Sequence, residues 1–200
     1  MKNLLLISIT ILLISCSSPR FVINPEWINP PNTFSVFITE PFVGNPDDVK
    51  DDLPEFANNF VGWFKSSLGQ ELEKISGKPP VINQIEDSLL TFVPLQLSEK
   101  SIIKIPLPDT TFEAPGIAFF IHPIKVLRHN DLPNNRQSTR LPNHQLIFSA
   151  RYSAIDTESK KILAYGILYS SQTFHFAMTK GDWENAIEEL AEELLEGTPL

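Results

Sequence analysis

The chain has 200 residues, 42% of them hydrophobic with 14 Phe, and a formal net charge of −8. That length and apolar content fit one folded domain with a sizeable core. The acidic balance and the lack of any basic run exclude nucleic acid as the main partner, and 17 Pro against 8 Gly imply stiff joints, not glycine-rich phosphate loops.

Met1-Lys2-Asn3 gives a short positive start, and Leu4 to Ile14 is apolar except for Ser8 and Thr10. Such a run is too short to cross a bilayer as a mature helix and has the length of a secretory signal. Behind it stands the only cysteine, in Leu13-Ile14-Ser15-Cys16. An aliphatic residue at −3, a small Ser at −1 and Cys at +1 resemble the bacterial lipobox. The resemblance implies a signal peptide over 1–15, removed before Cys16, and acylation of Cys16 on its sulfur and its new amino group. The competing reading is an ordinary secreted protein whose signal ends near a cysteine. A lone free thiol is awkward in an oxidising compartment, and lipidation removes the difficulty. Several acyl chains on one residue anchor stably, so the expected partner is the membrane, through its lipid anchor. Ser17 and Ser18 follow with no Asp at +2, which by resemblance to enterobacterial sorting implies the periplasmic side of the outer membrane.

Residues 16–33 read as a Pro-rich tether from lipidated Cys16, with Phe21, Val22, Trp27 and Ile28 able to dock back onto the domain that follows. That domain is expected over 34–200. Phe34 to Ile38 is a short β-rich run. Asp52-Leu53-Pro54-Glu55 reads as a helix start with Asp52 as N-cap. Phe56, Phe60, Trp63, Phe64, Leu68, Leu72 and Ile75 then recur at steps of three and four, an amphipathic helix with Phe60 and Trp63 deeply buried. Gly77 and Pro79-Pro80 stop it. Strand-like segments follow at Val81 to Ile85, Leu89 to Leu97, Ser101 to Pro106 and Gly116 to Leu127. Arg128 to Asn143 is polar and turn-rich, a candidate functional loop. Gln145 to Ile155 and Ile162 to Phe176 form the best hairpin, with Ile162, Ala164, Gly166, Leu168, Ser170, Gln172, Phe174 and Phe176 on one face. Gly181-Asp182 opens a last helix striped by Trp183, Ile187, Leu190, Ala191, Leu194 and Leu195. The expected fold is α+β, a two-layer sandwich in the order β-α-β-β-β-β-β-α. An antiparallel-rich mixed sheet carries two amphipathic helices on one face.

This order resembles a group of periplasmic lipoproteins that includes the amino-terminal domain of the Tol–Pal translocation protein, the penicillin-binding-protein activator lipoproteins and the curli secretion lipoprotein. The matching features are a strand ending near Pro-Phe (Ile38 to Phe42), a loop, a long helix before Val81-Ile82, and a terminal amphipathic helix. The hairpin Ser153 to Leu163 is similar to the group's Asp-x-x-Thr/Ser-Gly turn, with Ser159-Lys160 in place of the usual turn glycine. The likeness spans roughly residues 34 to 197. It implies a scaffold or regulator within an envelope protein complex, without catalytic activity. Two alternatives stay open: a lipoprotein subunit of an outer-membrane assembly or export machine, and a small envelope hydrolase.

Catalytic and metal chemistry find little support in the spacing. His122, His129, His144 and His175 are scattered, with no His-Glu-x-x-His. Asp47, Asp48, Asp51, Asp52 and Glu55 could hold calcium but lack the EF-hand spacing, and capping plus solvation explains them more simply. No Gly-x-Ser-x-Gly or phosphate loop occurs, so no metal, cofactor or small-molecule ligand is expected. Two surfaces remain as partner-binding candidates. One is the 128–143 loop with Arg128, Arg136 and Arg140, whose plain reading is a flexible linker. The other is the acidic face of the last helix, with Glu184, Glu188, Glu189, Glu192, Glu193 and Glu196, whose plain reading is a solvated surface. The sharper reading of that face is a docking strip that steers a basic partner.

Overall fold

A computed structural model of the chain describes residues 20–44, 59–109, 112, 114–131, 143–175 and 177–200. Its strands are β1 (Phe21–Ile23), β2 (Phe34–Ile38), β3 (Phe42–Val43), β4 (Val81–Gln84), β5 (Leu90–Ser98), β6 (Ser101–Pro108), β7 (Ile117–Ile121), β8 (Lys125–Asp131), β9 (Asn143–Asp156) and β10 (Lys161–Phe174). Helix α1 (Phe60–Ser76) follows β3 and helix α2 (Lys180–Leu195) follows β10. The fold is α+β, as expected, with seven strands between the helices where the expected order has five; the split of the Gly116 to Leu127 run at Pro123 into β7 and β8 supplies one of the two extra strands.

The main sheet runs β1-β10-β9-β7-β2-β4. β2 lies parallel to both β4 and β7, and the remaining pairings on this path are antiparallel. β9 is long enough to pair twice, its first half with β8 and its second half with β7. β3 pairs with β8 just as β2 pairs with β7, so Pro41 and Pro123 interrupt two neighbouring strands at the same level. Proline lacks the N–H a continuous ladder needs, which places the breaks there.

Both helices pack on one face of this sheet. α1 buries Phe64, Leu68 and Leu72, and α2 buries Trp183, Ala186, Ile187, Leu190, Ala191, Leu194 and Leu195. Val36, Phe119, Phe148, Tyr152, Ala154 and Leu168 of the sheet complete the core beneath them. Trp183 sits at its centre, edge-on to Phe60, Trp63 and Phe148 at centroid distances of 5.9, 5.9 and 5.7 Å. Asn59 caps α1, its side chain accepting from the Gly62 amide, so this helix begins at Phe60. The Asp52 cap and the 47–55 acidic cluster lie outside the described residues. Phe60 and Trp63 are only half-buried, a correction to the sequence reading: they rim the core while Trp183 fills the position between them. Gly77 ends α1 in the left-handed conformation, φ 69°, with its amide on the Glu73 carbonyl. Thr179 and Asp182 form a capping box that starts α2.

On the opposite face the β5–β6 hairpin forms a separate two-stranded sheet over part of the main one. Leu97, Ile103 and Ile105 pack there against Ile162, Tyr165 and Ile167. The Ser153 hydroxyl donates to the Pro106 carbonyl and the Tyr165 hydroxyl to the Gln96 carbonyl. A bulge between Ile162 and Ala164 turns Ile162 to this hairpin side, while Leu163 and Ala164 both face the helices. The alternation expected from Ile162 onward therefore holds only from Ala164.

Residues 21–28 do not behave as a free tether. β1 pairs with β10 from Phe21 opposite Gly166 to Ile23 opposite Ala164, and Trp27 is buried against Phe119. Gly166 makes this approach possible, since a Cβ there would stand 2.5 Å from the Arg20 carbonyl oxygen. Ile28 stays exposed.

Candidate functional site

The sequence-predicted partner residues separate into three groups. Arg136 and Arg140 lie outside the described residues. Arg128 is not in a loop: it is a β8 residue opposite Leu146, and its guanidinium lies 5.2 Å from the centre of the Phe174 ring. That cation–π contact commits Arg128 to the end of the sheet. The acidic face of α2 is itself divided. Glu188 turns toward α1, where its carboxylate receives the Lys74 ammonium at 2.7 Å, and these contacts with Glu188 and Glu71 raise the Lys74 pKa. Glu184 pairs with Lys180 within the helix at 3.4 Å.

Glu189, Glu192, Glu193 and Glu196 point the other way and line a groove of about 670 Å³, together with Arg20, Ile75, Tyr169, Ser171, Leu195 and Leu200. The groove runs between α2 and the outer edge of β10. Four carboxylates face one guanidinium, and like charges at i, i+4 such as Glu189/Glu193 and Glu192/Glu196 cost a few tenths of a kcal/mol each. Local partners offset part of this repulsion. Glu193 receives the Arg20 guanidinium at 2.6 Å on one oxygen and the Tyr169 backbone amide at 2.5 Å on the other. Arg20 also lies over the Tyr169 ring, 5.5 Å from its centre. Glu189 accepts from the Ser170 hydroxyl and the Gln172 side-chain amide, both at 2.7 Å. Glu192 and Glu196 make no such contact in the described structure and leave the groove negative.

Sequence reasoning found the acids but missed Arg20, Tyr169, Ser171 and Leu200, which enter the groove through strand pairing and the return of the C-terminus. The one local signal was Arg20-Phe21-Val22-Ile23, a short β-rich run inside the Pro-rich segment.

A second polar cluster surrounds His122. Its Nδ1 is 2.7 Å from the Thr39 hydroxyl and 3.3 Å from a carboxylate oxygen of Asp87. Burial, aided by the charge of Arg151, lowers the His122 pKa, while the charge of Asp87 opposes the shift. Both partners meet the same ring nitrogen, and the Thr39 side chain is fully buried. The cluster locks the junction of β2 and β7. Among the described residues no group of three or more His, Cys, Asp or Glu could hold a metal ion, and no helix is long and apolar enough to cross a membrane.

No protein-family model and no curated protein matches the chain. Several solved structures resemble it. One is a homolog of a neuraminyllactose-binding hemagglutinin from Helicobacter pylori, at 12% identity and TM-score 0.35 over 84% of this chain and 82% of that one. Another is a minor lipoprotein from Acinetobacter baumannii, at 11% identity and TM-score 0.40 over 82% and 88%. A third is PelC from Paraburkholderia phytofirmans, solved as a dodecamer, at 9% identity and TM-score 0.38 over 91% and 98%. At these scores and identities the likeness assigns no function.

Proposed function

We propose that this chain is a lipid-anchored accessory protein, a scaffold or regulator without catalytic activity, of a bacterial cell-envelope complex. Cys16 would hold it to the periplasmic side of the outer membrane, and the groove between α2 and β10 would receive a partner protein. The observation that carries the reading is the joint one of a lipobox ending at Cys16 and a folded domain whose negative groove starts at Arg20. The resemblance of the 153–163 hairpin to that of envelope scaffold lipoproteins supports the same role.

The test has two arms. Cys16→Ser should move the protein from the membrane fraction to the soluble one, and retention in the membrane after that change would end the anchoring claim. Crosslinking in cells followed by purification should recover an envelope protein in stoichiometric amount. Recovery of none, together with hydrolysis of an envelope polymer by the purified protein, would favour the hydrolase.

A further inference from the structure

We infer that the outer edge of β10 from Tyr169 to Thr173 binds an extended, Lys- or Arg-bearing segment of a partner protein by strand addition, with the α2 carboxylates reading its basic side chains. The inference rests on the accessory-protein reading and specifies how its partner would be held.

The edge is half used already. β1 ends its pairing at Arg20, whose carbonyl accepts from the Ile167 amide at 2.8 Å. Strand residues alternate in the direction of their amides, so Tyr169, Ser171 and Thr173 present their N–H groups to the same side as Ile167. No strand pairs with this side of β10 beyond Arg20 among the described residues. An uncovered row of donors and acceptors is a template for another extended chain. Glu193 occupies the Tyr169 amide, the donor that a continuing β1 would use. The carboxylate thereby stands where a partner's carbonyl would sit. A partner strand that took over the Tyr169 amide would release that oxygen of Glu193 toward a basic side chain.

Charge selects the partner's chemistry. Glu189, Glu192, Glu193 and Glu196 line the groove along this edge, and Arg20 is the one cationic side chain among its described lining residues. An acidic segment would be repelled, and a purely apolar one would leave the carboxylates without a counter-charge. Alternate residues of an added strand point toward and away from α2, so a basic residue at every second position fits both the ladder and the acids.

The experiment uses the full chain, extracted in detergent, and a fluorescein-labelled peptide of four Val-Lys repeats. Fluorescence anisotropy at low salt should show saturable binding. Glu192→Gln with Glu196→Gln should weaken it about tenfold, and raising the salt to about 0.5 M should weaken it similarly. Two further peptides, N-methylated on all Val or on all Lys, separate strand addition from simple charge attraction. One parity should bind more than tenfold more weakly and the other within about twofold of the parent, because only one set of amides meets the edge. Hydrogen exchange should find the Ser171 and Thr173 amides fast in the free protein and slowed by the peptide. Absence of binding would overturn the inference, as would equal binding of both methylated peptides. Protection of those amides in the free protein would mean that the chain's own N-terminal segment or a second copy covers the edge, and would overturn it too. Any of these failures leaves the anchoring arm and the crosslinking arm untouched, so the two readings fail separately.

Discussion

Trp183→Ala is the sharpest test of how the two helices are held on the sheet. The Trp183 side chain is 0% exposed and meets three rings edge-on, at interplanar angles of 72° to Phe60, 88° to Trp63 and 86° to Phe148. Truncating a buried Trp removes its transfer energy and leaves a cavity, for a loss of about 3–5 kcal/mol. The upper half of that range is expected here, because the rings come from α1 and β9, two separate elements that α2 holds in place. A domain of this size loses roughly 2–4 °C of Tm per kcal/mol, so the melting temperature should fall by about 10 °C or more. Phe60→Ala should cost less, about 1–3 kcal/mol, because its ring is only half-buried at the rim. Urea unfolding with matched m-values measures both. A loss below about 1 kcal/mol for Trp183→Ala, or a loss for Phe60→Ala equal to it, would refute the assignment of Trp183 as the centre of the core.

Three further outcomes follow from particular contacts. Gly166→Val should detach β1, because its Cβ would meet the Arg20 carbonyl oxygen at 2.5 Å and Phe21 Cα at 2.8 Å; faster proteolysis near Phe21 with an otherwise native spectrum would report it, and unchanged cleavage would contradict the pairing. Tyr152→Phe should leave stability equal or raise it by about 1 kcal/mol, since the buried Tyr152 hydroxyl has no hydrogen-bond partner in the described structure; a loss above about 1 kcal/mol would reveal a partner for that hydroxyl. His122 titrates below its ordinary value because burial, with Arg151, disfavours the charged ring against the pull of Asp87. The folded state therefore binds that proton less readily than the unfolded one, so this stability is present above about pH 6.5 and is lost as pH falls through the folded value. His122→Asn should flatten the fall in unfolding free energy between about pH 7 and pH 5, and an unchanged slope would place the titration elsewhere.

Helical periodicity carried most of what was legible. The Phe64, Leu68, Leu72 stripe and the Trp183 to Leu195 stripe each bury the face the spacing predicted, because a 3.6-residue period is a local property of the chain. The strands were harder where a non-local event reset the pattern. The bulge at Leu163 exchanges the faces of Ile162 and Leu163, and only the neighbouring strand fixes where it falls. The 156–161 turn shows the reverse case. Ser159-Lys160 stands where the resembling hairpins have glycine, and Lys160 adopts φ 57°, the left-handed region that glycine favours. Asp156 sustains the turn by accepting from the Glu158 and Ser159 amides. Burial raises its carboxyl pKa, but these bonds outweigh that and hold it below the ordinary value.

The site was legible in its charge and not in its shape. Runs of Glu on one helix face are visible in any sequence, yet whether they form a solvated face or the wall of a groove depends on what stands opposite. Here Glu188 meets Lys74 of α1, while the next acids meet Arg20, Tyr169 and Ser170, residues more than fifteen positions away along the chain. The placement of Arg20 also bears on the proposed anchor. With β1 tied to β10, Phe21 to Ile23 belong to the domain, and the chain from Cys16 to Arg20 can span no more than roughly 15 Å at full extension. If Cys16 carries acyl chains, the end of the groove at Arg20 is held within that reach of the headgroups. An acidic wall there gains nothing from an anionic membrane surface, so its charge is better matched to a basic protein segment arriving along that surface. If the anchor and the strand-edge binding both hold, the two together favour a partner that is itself membrane-bound.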